Sequence, residues 1–146
     1  MATEAQIGLG AEFWLDNNVG PPAVLTKLGE ILSITPPNSQ TEEVDATHFG
    51  SLNRRREYIS GLIDDGEGQI EMNYVPGSIT DALIRGAQTS GLSKNYKIVI
   101  PDGAGAWNIT GACIVKGYER NIPIDDRMTA TLTVRFTGAV TEVQGP

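Results

Sequence analysis

Carboxylates are the most abundant groups in this sequence that could do chemistry. Asp64, Asp65, Glu67 and Glu71 lie close along the chain, and Asp125 and Asp126 form a second set. Two carboxylates facing each other across a cleft are what glycoside hydrolysis requires. Both sets, however, adjoin Gly66 or Pro123, where aspartates serve a bend by accepting backbone hydrogen bonds, and that reading is preferred. Glu42-Glu43-Val44-Asp45 crowds oxygen ligands without the alternating ladder or closing Glu of a calcium loop. His48, the single histidine, sits between Thr47 and Phe49 with no nucleophile motif nearby, and reads as loop or interface polarity. Cys113, the single cysteine, permits neither an internal disulfide nor a thiolate metal cage. Asp102-Gly103-Ala104-Gly105 lacks the Lys-Ser/Thr of a phosphate loop. Arg54-Arg55-Arg56 lies among acids, so the partner that fits it is an acidic patch on another protein chain rather than phosphate. No catalytic set, cofactor or metal is expected.

These groups sit in a chain of 146 residues, 40% hydrophobic and 20% charged, with eleven Lys plus Arg against eighteen Asp plus Glu, a net charge of −7. That length suits one domain spanning 1–146, and the composition allows a buried core. Seventeen Gly and eight Pro are more interruption than a helical bundle tolerates. The acidic balance argues against gripping nucleic acid through its phosphates. The first thirty residues carry no basic and apolar leader, and no apolar stretch reaches the roughly 18 residues that span a bilayer. A membrane partner is therefore not expected.

Strand patterns must position these side chains. Over residues 128–137, Met128, Ala130, Leu132, Val134 and Phe136 alternate without error with Thr129, Thr131, Thr133, Arg135 and Thr137, giving one core face and one polar face. Trp107, Ile109, Gly111, Cys113 and Val115 fall on one side of a second strand, which makes Cys113 a small core residue. Tyr96, Ile98 and Ile100 precede it across residues 101–105, a hairpin turn. Gly68, Ile70, Met72 and Tyr74 alternate with Gln69, Glu71 and Asn73. One further strand is predicted over residues 27–34, and another over 7–15, with Ile7, Leu9, Ala11, Phe13 and Leu15 in step. A helix is predicted with Ser78 as cap, Asp81 at its positive end, Ile79, Leu83 and Ala87 on one face, and Gly91 as its stop. Residues 38–65 are left as a long polar loop, only partly strand-like. The window 41–71 holds eight of the eighteen acids, and a loop of such length is usually functional. Clean two-faced strands beside a charged loop point to a protein that contacts copies of itself.

Read in order, several segments resemble the tail tube (major tail) proteins of long-tailed, non-contractile bacteriophages. They are Glu42-Glu43-Val44-Asp45-Ala46-Thr47 with Phe49, Arg56-Glu57-Tyr58-Ile59-Ser60-Gly61-Leu62, and Gly66-Glu67-Gly68-Gln69-Ile70-Glu71-Met72-Asn73-Tyr74. Asp81-Ala82-Leu83, Ile100-Pro101-Asp102-Gly103, Ile122-Pro123-Ile124-Asp125-Asp126 and Thr131-Leu132-Thr133-Val134 with Gly138 follow. The resemblance covers residues 28 to 138.

It implies a mainly β fold, a sandwich or barrel with one flanking helix and a long loop between early strands. It also implies hexameric rings whose inner strands join into one barrel, stacked around a tape-measure protein and bounded by tail terminator and distal tail proteins. DNA would pass through the lumen without specific binding, in a virion tail assembled in the host cytoplasm. Glu42, Glu43, Asp45, Arg54, Arg55, Arg56, Glu57 and Tyr58 would belong to the inter-ring loop. Gln69, Glu71, Asn73, Thr129, Thr131 and Thr133 would face the lumen, with Arg135 on the same parity. Ser60 stands where the family carries Pro, which implies a softer turn, and no C-terminal decoration domain is expected. The tube of a contractile tail or type VI secretion system is the alternative within this logic. A monomeric β-sandwich binding module, using Trp14 and Trp107 as platforms, is the alternative outside it.

Overall fold

The computed structural model describes residues 8–16, 24–50, 52–102 and 105–145. In chain order the elements are β1 (Glu12–Asp16), β2 (Leu25–Lys27), β3 (Ile31–Ile34), β4 (Gln40–Asp45), β5 (Tyr58–Asp64), β6 (Glu67–Asn73), α1 (Ile79–Ser90), β7 (Lys94–Asp102), β8 (Gly105–Asn121) and β9 (Thr129–Gly145). Seven strands form one antiparallel sheet in the order β2-β1-β7-β8-β9-β6-β3, and β4 and β5 pair only with each other. The fold is mainly β with one flanking helix, as expected.

The sheet curls. β2 and β3 lie at its two opposite edges, yet only Leu28, Gly29 and Glu30 join them. Three residues reach about 10 Å at most, so the edges must approach each other and the sheet becomes a partly closed barrel. Leu28 is buried in the seam, and its amide donates to the Phe13 carbonyl at 2.9 Å. The single strand predicted over 27–34 is therefore two strands broken at Glu30, whose φ of +55° turns the chain from one edge to the other.

The alternating residues of the long strands fill this curl. Ile70, Met72, Tyr96, Ile98, Ile109, Cys113, Val115, Ala130, Leu132, Val134 and Phe136 are buried with Phe13 and Leu15. Tyr96 stacks on Phe13 and tilts against Phe136, with centroids 6.0 and 5.2 Å apart. In the early strand only Phe13 and Leu15 reach the core. Leu9 is exposed in a turn before β1, and Ile7 lies outside the described residues. The 101–105 turn joins β7 and β8 with Pro101 and Gly105 already in the ladder; Gly103 and Ala104 also lie outside the described residues.

Helix α1 covers the open side of the core. Its caps are as predicted: Ser78 Oγ accepts from the Asp81 amide, and Gly91 adopts φ +68°. Its buried face is Leu83, Ile84 and Ala87, while Ile79 is 78% exposed. At 100° per residue the stripe centres between Ile84 and Ala87, and Ile79 falls off its edge. Asp81, expected at the positive end of the helix, is there and is also buried. Its carboxylate accepts from Tyr118 Oη at 3.0 Å on β8, from the Gly77 amide at 3.3 Å, and from Arg85 Nε at 3.1 Å. Burial pushes the Asp81 pKa up, but these donors together outweigh it and hold the carboxyl below the usual range.

Asp81→Asn is expected to destabilise the folded chain by about 1–3 kcal/mol at neutral pH, the range for losing charged hydrogen bonds at a buried site. Because the folded pKa is depressed, the wild-type advantage is complete above the unfolded carboxyl value of about 3.9. It vanishes as pH falls through the folded value. Urea midpoints of the two proteins should converge below about pH 4.

Candidate functional site

Two surfaces gather the residues singled out in the sequence. The first is the sheet face opposite the core. Gln69 lies directly opposite Thr133, Glu71 opposite Thr131, and Asn73 opposite Thr129. All six predicted residues therefore share one patch. β8 extends it on the far side of β9, where Glu119 pairs with Thr131 and Asn121 with Thr129. On the near side Ser33 pairs with Glu71 and donates its hydroxyl to Oε2 at 3.3 Å. Thr131 is thus flanked by Glu71 and Glu119 about 10 Å apart, two strand spacings.

Cations on this face are already engaged. Arg135 Nη2 lies 2.5 Å from Asp64 Oδ2, and Lys116 Nζ pairs with Glu67. The Gly66 amide and then the Arg135 charge hold the Asp64 carboxyl below its ordinary range, and the Lys116 ammonium does the same for Glu67. Among the described residues Glu71 and Glu119 have no ion-pair partner. The face is left acidic, and of the carboxylates first weighed as an acid pair, Asp64 and Glu67 are bound into structural ion pairs.

The second surface is the segment left as a loop, and it is a β-ribbon. Partners follow one another from Ile34 with Ile70, through Thr35 with Gln69 and Asn38 with Asp65, to Gln40 with Asp64 and, past a one-residue shift between Thr41 and Glu43, on to Asp45 with Tyr58. β3–β6 and β4–β5 are consequently one continuous hairpin, whose inner half belongs to the sheet and whose outer half stands off it. Pro36 and Pro37, which lack amide donors, mark the exit. Gly68 makes the exit possible: a Cβ there would stand 2.5 Å from the Phe136 ring and 2.6 Å from the Thr35 carbonyl oxygen. Ser60, expected at a turn, is in mid-strand opposite Glu43.

The ribbon tip is knitted from its own polar groups. Thr47 Oγ1 accepts from the Glu57 amide, Asp45 accepts from the Thr47 amide, and Arg56 lies 3.7 Å from Asp45. His48 accepts the Gly50 amide at Nδ1 and places Nε2 3.3 Å from Glu57, consistent with the polar role read for it. Glu42, Glu43 and Tyr58 are exposed on the ribbon. The Arg54 and Arg55 side chains make no ion pair or hydrogen bond among the described residues. Val44, Phe49, Leu52, Ile59, Leu62 and Ile63 are all exposed. None of these apolar residues is among the site residues predicted from the sequence, although Val44 and the pairs Tyr58-Ile59 and Leu62-Ile63 stand out there among the charges.

Elsewhere the geometry offers little for chemistry. Among the described residues no group of three or more His, Cys, Asp or Glu converges on a metal position. A groove of about 590 Å³ between β1, β3 and β7 is lined by Leu9, Ile31, Leu32, Ile98 and Ile100 without an ionisable side chain. Trp14 donates to Glu12 at 3.0 Å and lies under Lys97, while Trp107 is partly buried and donates to Glu142 at 3.2 Å. No helix among the described residues is long and apolar enough to cross a membrane.

A family model described as the lambda phage tail tube protein matches residues 15–142. The chain belongs to the lambda phage tail tube protein family. It is thus a structural component of a virion tail. No curated protein matches its sequence. Among solved structures, a chain in the virion of a native gene transfer agent particle is similar over 95% of this chain and 99% of that one, with 17% identity and a TM-score of 0.72. A chain of the SPP1 tail tube matches over 95% and 78%, with 11% identity and a TM-score of 0.67. A chain in the baseplate of the anti-feeding prophage matches over 98% and 97%, with 13% identity and a TM-score of 0.67. This tail tube fold is therefore shared with contractile-type tubes.

Burial pushes the Cys113 thiol up to about 12, so almost no thiolate exists at pH 8. A thiol-specific disulfide reagent should leave the native chain unmodified at that pH and titrate one thiol per chain in denaturant. Rapid labelling of the native protein would contradict the core placement.

Proposed function

We propose that this chain forms hexameric rings that stack into the hollow tube of a long, non-contractile tail, through which the genome leaves the capsid. The tube works without catalysis or a cofactor. The polar sheet face lines the bore, and the ribbon reaches the next ring. A tape-measure protein occupies the tube during assembly in the host cytoplasm, and tail terminator and distal tail proteins bound it.

The observation that carries this reading is the free-standing ribbon. Apolar side chains exposed along a two-stranded ribbon whose strands pair only with each other among the described residues need a partner surface. A second copy of the chain supplies one in a self-assembling tube. The acidic sheet face supports the bore assignment. Phosphate contacts repeated in every ring would add into a large drag, and a surface whose cations are paired and whose free charges are Glu71 and Glu119 avoids them. The contractile-tail alternative shares the ring logic and is favoured if the tubes recruit a sheath protein.

The Arg55→Glu, Arg56→Glu variant should fold as wild type by circular dichroism yet form no tubes in negative-stain micrographs. Tubes of normal length in that variant would refute the ribbon's role. Tubes carrying Glu71→Lys and Thr131→Lys should retain double-stranded DNA and release it more slowly than wild-type tubes in a fluorescence assay. An unchanged release rate would place that face outside the bore.

A further inference from the structure

We propose that the ribbon tip of one copy docks on the turn joining β8 and β9 of the next copy along the tail. This identifies the receiving surface, and it rests on the ring-stacking reading above.

The two surfaces lie at opposite ends of one chain. The ribbon leaves the sheet where Glu67 pairs with Arg135, as the outward continuation of the β3–β6 ladder. The β8–β9 turn, residues 122–128, leaves the sheet at the other end of β6, where Asn73 pairs with Thr129 and Thr129 with Asn121. The seven residues of β6 hold the two ends about 20 Å apart. The ribbon adds its own length beyond that.

The surfaces are chemically complementary. Phe49 and Leu52 at the ribbon tip are 111% and 76% exposed, and beside them the Arg54 and Arg55 side chains have no partner among the described residues. In the turn, Ile122 and Ile124 are 68% and 103% exposed around Pro123, and Asp125 and Asp126 follow directly. Asp126 accepts only the neighbouring Arg127 amide, at 2.7 Å, and Asp125 has no partner among the described residues. Arg127 offsets part of the turn's charge, while Glu30 beside Asn73 adds to it at the same end. Each surface therefore offers an apolar pair next to unpaired charge, of opposite sign in the two. Ion pairs that are weak in solvent strengthen when neighbouring apolar groups exclude water.

Neither surface complements itself, since arginines would face arginines and aspartates would face aspartates. A contact between different surfaces at opposite ends of a subunit is heterologous, and it propagates along a line instead of closing into a pair. That is the symmetry a growing tube needs.

The test uses the full chain in three forms: Arg54→Glu with Arg55→Glu, Asp125→Arg with Asp126→Arg, and the two combined. All four positions are exposed, and circular dichroism checks that each variant folds. Each single swap should abolish tubes by negative-stain microscopy and sedimentation, and the combined swap should restore them. Independently, Leu52→Cys with Ile124→Cys should give a ladder of disulfide-linked oligomers on oxidation of assembled tubes, with buried Cys113 silent. Tubes that survive the Asp125→Arg, Asp126→Arg swap, or a cysteine pair that never cross-links, overturn this docking and leave stacking intact. A wild-type chain that stays monomeric at every concentration overturns the stacking reading and the docking with it.

Discussion

A two-stranded β-ribbon closes half of its hydrogen bonds inward and exposes both faces, so it gains too little from folding alone to hold its shape in water. β4–β5 meets this constraint by continuing a ladder that the sheet has already formed. Its register is inherited from Ile34 with Ile70 and Thr35 with Gln69, so the entropic cost of closing the outer hairpin falls partly on the folded domain. Asn38 with Asp65, Ser39 with Asp65, and Arg135 with Asp64 fasten the junction. The ribbon is thus presented as a pre-aligned arm, and the proposed contact with the next ring would supply the remaining stabilisation.

The same ladder determines how the sheet's two faces are used. β6 lies between β3 and β9, and its alternation sends Ile70 and Met72 into the core and Gln69 and Glu71 to the polar face. A slip of one residue would exchange the faces and bury Glu71. Core packing and the chemistry of the polar face are therefore fixed by one register. Asp81 fixes the third direction, because its bond to Tyr118 holds the helix on β8 from the core side and leaves the polar face uncovered.

What the sequence revealed and what it concealed divide along sequence separation. The faces of β6 and β9 were legible because a period of two is a local property, and it placed Cys113 in the core and all six polar-face residues on one side. Features that depend on distant partners were not legible. Ile79 and Ile84 are equally apolar, and only the position of β8 selects Ile84. Asp81 looked like a helix-end charge because Tyr118, 37 residues away, gives no sign of contact in the sequence. The break at Glu30 had only Gly29 to announce it, since nothing local reveals that β2 and β3 serve opposite edges. In the ribbon, acids interleaved with Val44, Ile59 and Ile63 masked a strand pattern that becomes plain once the pairing is known.

The acidic surplus then carries two opposed consequences. In the proposed tube, a net charge of −7 would keep DNA from adhering to a surface made of many copies, yet the same charge would repel each copy from the next. Placement reconciles them. On the sheet face the cations Arg135 and Lys116 are neutralised by Asp64 and Glu67 within the chain, so the surface proposed to face DNA has no free positive charge among these groups. At the ribbon tip the arrangement is reversed: Arg54 and Arg55 stay unpaired, beyond the end of the sheet. In the proposed tube, positive charge is withheld where sliding must be easy and left free at the arm proposed to reach the next ring. Bringing that arm onto an acidic surface turns part of the self-repulsion into attraction, confined to the contact that extends the tube.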